Sequence, residues 1–132
     1  MRYSHQRELI LREVLSRSDY PTAEQICTSL RAVCPRLSLG TVYRDLNTLV
    51  DIGKVRRVYI PGEADRFEGP QEDHQQLYCR SCQKVKSIHI SDAKLKALID
   101  ACPDIVPEDY SLTVFGLCDE CAVKAAKENE EL

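Results

Sequence analysis

Ser38-Leu39-Gly40-Thr41-Val42-Tyr43-Arg44-Asp45-Leu46-Asn47-Thr48-Leu49-Val50 is the stretch on which the fold turns. Ser38 is an N-cap residue, and Leu39, Val42, Leu46, Leu49 and Val50 recur at helical spacing as far as Gly53, which suits the left-handed position beyond a helix end. Between those apolar positions the helix presents Thr41, Tyr43, Arg44, Asn47 and Thr48, side chains that can meet thymine methyls, guanine O6 and N7, and phosphate oxygens.

Two more helices precede it. The spacing predicts the first over Ser4 to Arg17, with Leu11, Val14 and Leu15 on one face and Arg7, Glu8, Arg12 and Glu13 turned to water, ended by Asp19-Tyr20-Pro21. Thr22 with Gln25 three residues on reads as a capping box for the second, whose apolar stripe is Ala23, Ile26, Cys27 and Leu30, ended by Cys34-Pro35-Arg36. Downstream, Lys54 to Ile60 is β-branched and basic, Pro61-Gly62-Glu63-Ala64 is a turn, and Asp65 to Glu68 can return as a strand. Three helices and a basic hairpin make a winged helix-turn-helix, in which the third helix enters the major groove and the hairpin tracks the backbone. Arg44 can fork onto a guanine or clamp a phosphate, Ser38 with the helix's free N–H groups can hold a phosphate, and Arg7, Arg56 and Arg57 are further backbone-contact candidates.

Gly69-Pro70-Gln71-Glu72-Asp73 is polar and falls where the charge changes sign. Residues 1–66 hold 11 Lys/Arg against 8 Asp/Glu, residues 67–132 hold 7 against 13, and the net is −3. The basic half is therefore the candidate nucleic-acid face, with a DNA-binding domain over 1–69, a hinge over 70–76 and a second domain over 77–132. The second domain reads as strand (Leu77 to Cys79), strand (Lys84 to Ile90), helix (Ser91 to Ala101), strand (Tyr110 to Gly116) and a charged helix after Cys121, with a polar tail from Lys124 to Leu132. Cys79-Arg80-Ser81-Cys82 and Cys118-Asp119-Glu120-Cys121 are Cys-x-x-Cys pairs with 35 residues between them. Four thiolates suit a closed structural Zn²⁺ site, with two redox dithiols, or buried cysteines that merely happen to pair, as the competing reading. Cys27 and Cys102 continue apolar helical stripes as small core residues, and Cys34 has no assignment.

The 132 residues are 43% hydrophobic and 30% charged, which fits a folded protein of one or two small domains and excludes a large catalytic barrel. With no apolar run long enough for a membrane helix and no signal-peptide pattern, the expectation is a cytoplasmic protein. A closed four-sulfur shell leaves no position for a substrate, so an enzyme is not expected.

Arg2-Tyr3-Ser4-His5-Gln6-Arg7, Pro21-Thr22-Ala23-Glu24-Gln25-Ile26, Ser38 to Leu46, Arg66-Phe67-Glu68, His74 and the two Cys-x-x-Cys pairs together resemble the ferric uptake regulator (Fur) family, and within it the peroxide-responsive members. The resemblance implies a homodimeric winged-helix repressor with a C-terminal α/β dimerisation domain, binding an AT-rich inverted repeat of double-stranded DNA. It implies that Cys79, Cys82, Cys118 and Cys121 hold one structural zinc per protomer, that Tyr43 and Arg44 read DNA, and that a second divalent metal (Fe²⁺, Mn²⁺ or Zn²⁺) regulates. For that second site the family pattern is matched only by Glu68 and His74, while Gln76, Ser87 and Tyr20 stand at the positions of a histidine, a carboxylate and another histidine. Hard divalent ions want about five or six N/O ligands, so the regulatory site is expected to be weakened, rearranged or lost. His89, placed on one strand face with Ser87, can lend an imidazole to a rearranged site, with Glu72 and Asp73 nearby; ordinary surface or interface histidines are the alternative. The competing reading of the whole chain is a zinc-ribbon protein-interaction module that does not read DNA.

Overall fold

The computed structural model describes residues 2–130, with side chains over 5–129. It separates into two compact units, Met1–Pro70 and Gln71–Leu132.

The first unit is built from α1 (Arg2–Ser16), α2 (Ala23–Leu30), α3 (Leu39–Asp51) and the antiparallel strands β1 (Arg56–Val58) and β2 (Arg66–Glu68). Thr22 caps α2 with the full reciprocal box, its hydroxyl accepting from Gln25 N at 3.2 Å and its own N–H donating to Gln25 Oε1 at 3.0 Å. Ser38 caps α3, accepting from Thr41 N at 3.1 Å. Ile26, Leu30, Val42, Leu46 and Leu49 close one core with Phe67. Among the described side chains of α1 the buried ones are Ile10 and Val14, whereas Leu15, expected inside, is 56% exposed. Ile10 and Val14 are four apart and share a face; Leu15 lies about 100° further round.

The hairpin is shorter than the β-branched run predicts, because the N–H groups of Lys54 and Val55 both bond the Leu49 carbonyl, at 2.9 and 3.2 Å, and so finish α3. Gly53, at φ +77°, makes that reversal. On its other edge β2 meets the segment before α2, where Phe67 N donates to Pro21 O at 2.9 Å.

The second unit carries β3 (Gln75–Cys79), β4 (Val85–Ile88), α4 (Asp92–Asp100), β5 (Thr113–Gly116) and α5 (Asp119–Glu130). The sheet order is β4-β3-β5, with β3 antiparallel to β4 and parallel to β5. Gln75 and Gln76, expected in a hinge, are instead buried strand residues. Their amides satisfy themselves: Gln75 Nε2 donates to Ile90 O at 3.2 Å and its Oε1 accepts from Ile90 N at 2.8 Å. Polar character read as solvent exposure is here a buried hydrogen-bond clasp.

The predicted strands over 84–90 and 110–116 contract to four residues each, and α5 begins before Cys121, not after it. The C-terminal tail is helical to Glu130, and its last two residues lie outside the described ones. Cys27 is buried in the first core as expected, whereas Cys102 is exposed and α4 contains no buried residue. Of the Leu95, Leu98 and Ile99 stripe, Leu95 and Ile99 are half-buried and Leu98 is 69% exposed.

Candidate nucleic-acid interface and metal centre

The packing of α3 sorts its residues. Val42, Leu46 and Leu49 are buried, so Tyr43, Arg44 and Asn47 are left on the opposite, exposed stripe, with Thr41 and Thr48 half-buried at its margins. The Thr41 and Ser38 hydroxyls bond each other at 2.9 Å, and Thr48 Oγ1 donates to Arg44 O at 3.1 Å, so these three hydroxyls are already engaged in the helix.

Asp45 went unremarked in the sequence, although its phase marks it, three residues after Val42 and four before Leu49. Its side chain is 1% exposed, and the guanidinium facing it, 3.7 Å away, belongs to Arg7 of α1. Arg7, expected to turn to water, is thereby drawn inward, with 40% of its side chain exposed. Arg56 is half-buried opposite Glu68 in the β1–β2 register. Arg57 is held by three partners: it donates from Nη2 to Asn47 Oδ1, pairs through Nε with Asp65 Oδ2 at 3.4 Å, and lies over the Phe67 ring at 5.8 Å. The hairpin is thus tied directly to the exposed stripe of α3.

In the second unit, parallel pairing sets Cys79 opposite Gly116 and brings the ends of β3 and β5 side by side. Cys79 and Cys82 leave one strand and Cys118 and Cys121 follow the other. The four sulfurs lie within 4.8 Å of one another, with Cys82 and Cys118 at 3.8 Å. A regular tetrahedron of zinc–sulfur bonds of about 2.3 Å has edges of about 3.8 Å, so the cluster is dimensioned for that ion. Backbone N–H groups of Cys82 and then Cys118 hold the Cys79 thiol down at about 6. Ser81 draws the Cys121 thiol down, but hydrogen bonds with the crowded sulfurs, Cys118 first, outweigh it and push the thiol up to about 12. Four thiolates this close need a cation among them. The helix supplies part of that charge: Ala122 N donates to Cys118 O at 2.8 Å, so Cys118 immediately precedes α5 and Cys121 sits in its electropositive first turn.

Residues expected at a regulatory metal site fall in both units. Glu68, in the first, is buried; burial pushes its carboxyl up to about 7 against the opposing charge of Arg56. In the second, buried His74 and exposed His89 meet edge to face, with centroids 5.6 Å apart, and His89 Nδ1 is 3.3 Å from the Asp73 carbonyl. His89 lies just beyond β4 rather than on the strand with Ser87. Gln76 and Ser87 are register partners, two neutral side chains facing across β3 and β4. Gln76 Nε2 donates to Leu112 O at 3.0 Å and to Thr113 Oγ1 at 2.7 Å, so its amide serves the sheet.

A capped helix with an exposed polar stripe, a basic wing and a separate four-sulfur unit define the class of winged-helix proteins carrying a metal-binding domain. The chain belongs to the ferric uptake regulator family, whose pattern matches residues 1–113. It is 27% identical over 122 residues to the peroxide-responsive repressor PerR of Staphylococcus epidermidis, covering 92% of this chain and 81% of that protein. Among solved structures it is similar to the Campylobacter jejuni peroxide stress regulator, with a TM-score of 0.73, 25% identity and 91% of each chain covered. The Helicobacter pylori ferric uptake regulator Fur shares the fold at a TM-score of 0.75 and 21% identity, over 89% of this chain and 80% of that one.

Proposed function

We propose that the chain is a cytoplasmic homodimeric repressor that binds an AT-rich inverted repeat in double-stranded DNA. The observation that carries this reading is the exposed Tyr43, Arg44 and Asn47 stripe on a helix whose other face is locked into a core by Val42, Leu46 and Leu49. Tyr43 and Arg44 meet bases or phosphates from that stripe; Ser38, Thr41 and Arg56 border it. Arg7 and Arg57 act chiefly inside the protein, on Asp45 and on Asn47 with Asp65. One structural zinc per protomer sits on Cys79, Cys82, Cys118 and Cys121. The second subunit covers the apolar groups of the C-terminal unit that its own chain leaves exposed, among them Leu98, Val106, Val114 and Val123.

The regulatory metal site over Glu68, His74 and His89 is weakened or lost, because Gln76 and Ser87 offer no imidazole or carboxylate and Gln76 is engaged with Leu112 and Thr113. The dimer then binds its operator without added Fe²⁺ or Mn²⁺. Elemental analysis of purified protein, before and after incubation with Mn²⁺, Fe²⁺ and Zn²⁺, is run beside a gel shift on a randomised duplex pool. One zinc per protomer, no second metal and a metal-independent shift are expected. A shift that appears only on adding a second metal refutes the weakened-sensor reading, and no shift under any condition refutes DNA binding.

A further inference from the structure

Arginine carries only donors, so the atom of Asn47 that meets Arg57 Nη2 is necessarily the amide oxygen. That fixes the rotation of the Asn47 side chain: Oδ1 points to the wing and the NH₂ group points away from it. An asparagine free to choose reads adenine with both ends of its amide, accepting from N6 and donating to N7. An asparagine held this way keeps a second lone pair on Oδ1, but it cannot turn its amide to aim both ends at one adenine without breaking a charge-assisted bond. The hold is itself fixed, since Arg57 is anchored on its other side by Asp65 at 3.4 Å and backed by the Phe67 ring at 5.8 Å. Both members of the pair are exposed, and Asn47 lies on the stripe shared with Tyr43 and Arg44.

We propose that Arg57 is a specificity-determining residue that acts through Asn47: by holding Oδ1 toward the wing it turns the NH₂ group outward, so that this position of α3 meets a base chiefly as a hydrogen-bond donor. The base met there is chosen for an acceptor on its major-groove edge, guanine O6 or N7 or thymine O4, and adenine loses its two-point advantage. The inference rests on α3 being the DNA-reading helix.

Full-length dimeric protein and its Arg57→Ala, Arg57→Lys and Asn47→Ala variants are each used to select from a randomised duplex pool, and the bound sequences are compared position by position. Asn47→Ala should flatten the preference at one position per half-site. Arg57→Ala should raise adenine at that same position by at least about fivefold relative to guanine and thymine, the lower bound for a bidentate contact. Arg57→Lys keeps a donor against Oδ1 and should retain the parent's preference. A change in overall affinity common to all sequences is what a merely structural role produces, and it moves none of these ratios. If Asn47→Ala alters a base preference and Arg57→Ala leaves that position as in the parent, the inference is overturned while DNA reading by α3 stands. If Asn47→Ala alters no position, Asn47 reads no base and the inference is equally overturned. If the parent selects no sequence, the proposed function itself has failed.

Discussion

Arg7→Met removes the cation facing Asp45 across α1 and α3 while keeping much of the aliphatic stem. The Asp45 side chain is 1% exposed and its Oδ1 is 3.7 Å from Arg7 Nε. Removing one partner of a buried ion pair costs about 3–5 kcal/mol. Arg7 keeps 40% of its side chain in water, so screening brings the expected loss down to about 2–3 kcal/mol. Adding Asp45→Leu to Arg7→Met should recover most of that, because a packed apolar pair then replaces an unpaired buried carboxylate. Urea unfolding at fixed protomer concentration and zinc content reads the stability. In parallel, the salt dependence of DNA binding reads what Arg7 does at the interface: a lost phosphate contact lowers the slope by about one, whereas a lost internal tie leaves it in place. A variant within about 0.5 kcal/mol of the parent whose salt slope has dropped refutes the internal role and returns Arg7 to the DNA backbone.

Cys82→Ser or Cys121→Ser should abolish the stable dimer, since metal binding in so small a unit is folding free energy; sedimentation of fresh, reduced protein checks it, and an intact dimer free of zinc contradicts it. Thr22→Ala removes the hydroxyl half of the α2 capping box and should cost about 1 kcal/mol, read as a lower urea midpoint with an unchanged m-value. Glu68 binds its proton more tightly in the folded chain than in the unfolded one, so its contribution makes stability fall as pH rises from 4.5 to about 7 and level off above. Glu68→Gln should remove that decline, and a pH profile parallel to the parent's over the same window would count against a buried, proton-holding carboxyl.

Features that depend on neighbours in the chain were legible. The capping box at Thr22, the Ser38 cap, the buried phase of Val42, Leu46 and Leu49, and the paired cysteines all follow from spacing over a turn or two. Features set by distant partners were not. Leu15 and Ile10 have similar side chains, and only the packing of α1 decides which is inside. Gln75 and Gln76 look like solvent-facing linker until Ile90, Leu112 and Thr113 arrive to bond their amides. The Cys102 helix has a clear apolar stripe, yet periodicity tells that a face wants cover, not which surface covers it. Asp45 is the instructive case: its phase placed it inside, but only its sequence-distant partner Arg7 makes a charge there tolerable.

The parallel pairing of β3 with β5 also bears on the order in which the molecule can be made. A ribosome delivers Phe67, the last member of the first core, before any residue of the sulfur cluster, so the N-terminal unit can mature on the nascent chain. The C-terminal unit has to wait until Cys121 emerges before the metal can be enclosed. A truncated or clipped product lacking β5 would keep a folded reader with no means of fastening the rest.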